Sequence, residues 1–65
     1  MQPRTWNEGD PEPLDVAAVI DIDRDVWINL EPNSWYIQEA GEDFACSWKT
    51  VLKNAPLLEF VTKED

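Results

Sequence analysis

Sixty-five residues with one cysteine, no histidine and a formal net charge of −9 leave a narrow set of functions open. A lone thiol excludes an internal disulfide, and without histidine it makes an internal zinc centre untenable. Fourteen acids against five bases repel nucleic acid and anionic membrane, and favour basic protein surfaces as partners.

One domain at most is expected, and a chain this short buries a modest share of its surface. The four tryptophans are therefore expected to matter to its stability. No apolar run is long enough to span a bilayer, and the first residues lack the basic-then-apolar pattern of a signal peptide. With a single thiol, the expected compartment is the cytoplasm.

Residues 1–13 carry three of the five prolines and almost nothing apolar except Trp6. They read as a flexible acidic arm. The domain is expected over 14–62, with 63–65 as a tail. Val16 to Ile20 is apolar and β-branched, and reads as a strand. Asp21-Ile22-Asp23-Arg24-Asp25 reads as a polar turn, and Val26 to Leu30 as the returning strand. Alternation there sets Val26, Ile28 and Leu30 on one face, and Trp27 and Asn29 on the other. Glu31 to Ser34 reads as a second turn. Trp35 to Gln38 reads as a third strand, and Glu39 to Asp43 as a loop.

Ser47 has the character of a helix N-cap. Trp48, Val51, Leu52 and Ala55 follow at i, i+3, i+4 and i+7, forming one apolar stripe. Lys49 and Lys53 lie four apart on the other side. Pro56 stops the helix. Leu57 to Val61 reads as a last strand returning beside the first. The expected class is α+β: a three-stranded antiparallel meander, one short helix packed on it, and a final short strand.

This layout resembles small uncharacterised proteins of actinobacteria and their phages. The residues that carry the resemblance are Val16, Ala18, Val19 and Asp21, then Asp25-Val26-Trp27 and Trp35. Ser47-Trp48 with Val51-Leu52 matches the helix of that group, and Pro56-Leu57 with Val61 its closing strand. Two positions depart from the pattern. Arg24 stands where a turn glycine is usual, and Ala55 where a glycine precedes the proline. The resemblance implies a fold and a phage or actinobacterial origin. It implies no activity and transfers no functional residue.

Chemical motifs are sparse. Asp21-x-Asp23-x-Asp25 has the opening spacing of a calcium loop, but Val26 and Pro32 stand where glycine and glutamate are required. A solvated hairpin turn is the simpler reading. Cys46 lacks a histidine base and reads as a small core residue. Chance carboxylate pairs are unavoidable among so many acids, and so small a chain leaves little room for a substrate pocket. No enzymatic role and no cofactor are expected. The aromatics lack the cationic groove that base stacking needs, so no direct nucleic-acid binding is expected either.

A sheet with one helix covers one face well. Either Trp27 or the opposite aliphatic face is therefore expected to be exposed as an interaction patch. The acids of residues 8–25 follow directly on Trp6. Together these features point to a non-enzymatic module that docks on a basic host protein to inhibit or modulate it. The expected contact residues are Trp6, Glu8, Asp10, Glu12, Asp21, Asp23, Asp25 and Trp27. Two alternatives stand beside it. One is a nucleic-acid mimic that occupies the basic site of a DNA-binding host protein. The other is a structural protein acting by self-association, with a homodimer as its simplest form.

Overall fold

The computed structural model of the chain describes residues 3–63. Residues 1 and 2 of the expected arm, and 64 and 65 of the expected tail, lie outside the described residues. The strands are β1 (Thr5–Trp6), β2 (Val16–Ile20), β3 (Val26–Glu31), β4 (Ser34–Ile37) and β5 (Leu57–Thr62). Helix α1 (Trp48–Val51) precedes β5 and tightens at once into a 3-10 turn over Leu52–Asn54. The order across the sheet is β1-β5-β2-β3-β4, and every neighbouring pair is antiparallel. The fold is α+β, an antiparallel sheet with one short helix. The meander of β2, β3 and β4 is present, and β5 lies beside β2 as expected.

The arm departs from expectation. Residues 3–13 are not a free arm: they supply a fifth strand and a strap across the core. Trp6 pairs with Leu57, and the Glu59 amide donates to the Arg4 carbonyl at 2.9 Å. The Arg4 guanidinium donates to Asp15 at 3.0 Å and to Glu59 at 3.3 Å, and lies 5.5 Å from the Trp6 ring centroid. Trp6 itself is 8% exposed. The physical reason is the size of the indole. Burying it stabilises by several kcal/mol, roughly 4–6 at 25 cal/mol per Å², enough to offset ordering of a few polar residues.

Trp6, Trp27, Trp35 and Trp48 form one core with Val16, Val19, Val51, Leu52 and Leu57. Trp35 and Trp48 rings lie 5.1 Å apart, and Trp6 meets Trp48 edge-on at 6.2 Å and 88°. Edge-on indole pairs align the positive rim of one ring with the negative face of the other. Ser47 caps α1 as expected, its Oγ accepting from the Thr50 amide at 3.3 Å. Trp48, Val51 and Leu52 carry the stripe into the core, and Ala55 packs at its margin. The α-helical part spans one turn rather than two. Packing, not propensity, holds so short a helix.

Two non-glycine residues take left-handed backbone, Arg24 (φ 68°) and Asn33 (φ 62°). Asparagine tolerates that region, whereas an arginine there strains its Cβ against the following carbonyl. The strand registers sort the two faces, because residues directly opposite share a face. Ile37, Trp27, Val19 and Glu59 form one row across β4, β3, β2 and β5. Tyr36, Ile28, Ala18 and Val61 form the next, and it points the other way. Trp27 thus faces the helix, and the aliphatic face of β3 is turned outward.

Candidate functional site

The eight expected contact residues separate into structural pins and free groups. Trp6 and Trp27 are core residues, so neither is an exposed anchor. Asp21 is buried, and both of its carboxylate oxygens are engaged. Its Oδ1 accepts from the Asp23 and Asp25 amides, each at 2.9 Å, and its Oδ2 accepts from Trp27 Nε1 at 2.9 Å. Asp21 therefore shapes the hairpin and satisfies an indole, which removes it from any contact surface. Glu12 has the same duty 23 residues from its partner: its Oε2 accepts from Trp35 Nε1 at 2.6 Å and from the Asn33 amide at 2.8 Å. The Asp10 carbonyl accepts from Trp48 Nε1 at 2.9 Å, while its carboxylate accepts from the Asn7 amide at 2.7 Å. Gly9 completes that tight turn with φ 95°, a conformation a side chain would strain.

Three of the four indoles thus give their N–H to the acidic segments that looked free in the sequence. Glu8 and Asp23 remain exposed and Asp25 half-buried. One ligand oxygen from each of Asp21, Asp23 and Asp25 lies within 4.8 Å of the others. The amides and indole that Asp21 serves account for its place there. Partial desolvation raises the Asp25 carboxyl above its usual range, and the Asp21, Glu39 and Asp23 carboxylates add to the effect. Cys46 is half-buried and packs at the core margin, exchanging two backbone hydrogen bonds with Trp35 at 2.8 and 2.7 Å. Burial pushes its thiol up, away from the reactive thiolate.

The outward face of the sheet offers a different kind of surface. Its rows run Tyr36, Ile28, Ala18, Val61 and Val26, Ile20, Leu58, Thr5. Neither row contains an aspartate, glutamate, lysine or arginine. Leu58 is 45% exposed and Val61 47%. Phe60 is the extra residue of β5 opposite the Val19–Ala18 step, and is 55% exposed. Acids stand at the strand ends: Asp23 and Asp25 in the β2–β3 turn, Asp15 and Glu31 at the other end.

A second feature lies on the helix side. A groove of about 460 Å³ runs between the Glu8-Gly9-Asp10 turn and Trp48, Lys49, Leu52 and Lys53. Its volume falls in the range of small-ligand sites, larger than the chain length suggests. Alternation and the lysine spacing were the signals for these two surfaces. What neither signal carried was that the strap would form the groove's second wall. No helix among the described residues is long and apolar enough to cross a membrane. Compared with known proteins, the chain matches no family model, no curated protein and no solved structure.

Proposed function

We propose that the chain is a small acidic protein-binding module without enzymatic activity, docking through the outward face of its sheet. The observation that supports this most is a face of paired apolar rows without a charge, in a chain of net charge −9. Apolar patches of that kind, rimmed by polar groups, favour protein contact. The partner that fits has an apolar patch within a basic surround. Acids at the strand ends would steer the encounter, and Leu58, Val61 and Ile28 would supply the buried contact. A second copy fits less well, because stacking like faces brings two acidic rims together. In this reading the protein is phage-encoded and works in the host cytoplasm by occupying a host protein.

The test compares the immobilised protein with a Leu58→Glu variant of equal thermal stability, at low and high salt. A basic protein retained by the wild type, lost by the variant and weakened by salt supports the reading. Equal retention by both, or retention of no protein, contradicts it. Displacement of the captured protein by duplex DNA would place the contact at a nucleic-acid site. Concentration-dependent sedimentation that the variant abolishes would name a second copy as the occupant instead.

A further inference from the structure

The groove beside α1 has a chemistry that the sheet's outward face lacks. Its floor is apolar, formed where the small exposed parts of Trp48 (5%) and Leu52 (6%) reach the cavity. Lys49 and Lys53 both line the groove, one from α1 and the other from the 3-10 turn that follows it. Neither lysine joins a salt bridge among the described residues. On the opposite wall, the Asp10 carboxylate is turned back to the Asn7 amide, which leaves Glu8 as the exposed acid there.

Two lysines without a salt bridge among the described residues are a scarce feature in this chain. Only five bases oppose fourteen acids, and two of the five converge on one apolar cavity. The geometry points to a binding site for a small amphipathic carboxylate. Its apolar body, aromatic or aliphatic, covers Trp48 and Leu52, and its carboxylate lies between Lys49 and Lys53. The exposed Glu8 sets the direction, because it repels an anion from the strap side and leaves the helix side as the anion's seat. The site is independent of the sheet face and stands or falls separately from the proposed protein contact.

The probes are phenylacetate and its neutral counterpart phenylacetamide, which share one apolar body. Each is titrated into the intact protein while the Trp48 indole N–H and Leu52 methyl resonances are followed. The expected result is saturable shifts at both groups, with phenylacetate bound about fivefold tighter, as two exposed ion pairs allow. The K49Q/K53Q variant is expected to bind both probes equally. High salt is expected to erase the same preference in the wild type, a readout that does not depend on the variant folding. Absence of saturable shifts, equal affinity of the two probes for the wild type, or a preference that survives both salt and variant would overturn the proposal. In the first case the lysines serve only to balance the acidic strap.

Discussion

Replacing Glu12 with alanine asks whether the acidic strap holds the core or merely lies on it. Glu12 Oε2 takes the indole proton of Trp35, a side chain with 0% exposure, at 2.6 Å. Truncation leaves that N–H without an acceptor where water cannot readily replace one. An unsatisfied buried donor costs about 1–3 kcal/mol, and the upper part of that range applies when the lost acceptor is charged. The Asn33 amide, which also loses Glu12, sits on an exposed residue, so water recovers most of that bond. The expected loss is therefore about 2–3 kcal/mol, out of roughly 3–10 kcal/mol for a chain of this length. Thermal unfolding should shift down by about 10–20 °C, at ~4–8 °C per kcal/mol for a domain this small. Glu12→Gln keeps a carbonyl acceptor for the indole and should lose about half as much. In a Trp35→Phe background no indole proton exists, so the Glu12→Ala cost should shrink to the surface term alone. Urea and thermal denaturation of the wild type and the four variants measure all of this. A Glu12→Ala loss within about 0.5 kcal/mol, the range of an ordinary surface change, would refute the reasoning.

The remaining predictions use the same stability assay. Trp6→Ala should cost about 3–5 kcal/mol, the range for deleting a large core aromatic, and should lower the urea midpoint sharply; a near-native urea midpoint would return Trp6 to the surface. Arg24→Gly should raise stability by about 1 kcal/mol, because glycine takes the left-handed conformation without the Cβ strain; a lower midpoint would show that the Arg24 side chain contributes more than its backbone costs. The Glu59 carboxyl is lowered to about 2, by its hydrogen bond from Thr62 first and those from Arg4 next. A depressed folded value means that its contribution is complete above the ordinary value of 4.5 and is lost as pH falls from there through about 2. The acid limb of the stability curve should thus flatten in Glu59→Gln, and a carboxyl titration of Glu59 near its ordinary value would contradict the Arg4–Thr62 network.

Most of the sheet was legible in the sequence because its strands are β-branched and bounded by turn residues. Val16 to Ile20 and Leu57 to Thr62 illustrate this, and Ser47 announced α1 by its hydroxyl. Strand β1 was not legible, since Thr5–Trp6 is too short to show alternation. Its evidence is non-local: Leu57, Glu59 and Asp15 lie far along the chain. The acids misled for a related reason. Glu12 and Asp10 look like solvent groups until Trp35 and Trp48 arrive from 23 and 38 residues away to donate to them. Asp21 was hidden differently, because a buried Asx-type acceptor and an exposed hairpin carboxylate have the same local sequence. Alternation in β3 separated Trp27 from the aliphatic face but could not say which faced the helix. The converging tryptophans decide it, since a row of indoles needs the deeper side of the sheet.

The central claim is that all four tryptophans turn inward and the charge-free sheet face turns outward. Paramagnetic relaxation by a neutral soluble gadolinium chelate tests it most directly, in dilute solution, by broadening whatever the solvent reaches. Strong broadening is expected for the Leu58, Val61 and Leu30 methyls, with protection of the Trp27 and Trp35 indole protons that Asp21 and Glu12 hold. Protected methyls with broadened indole protons would contradict it.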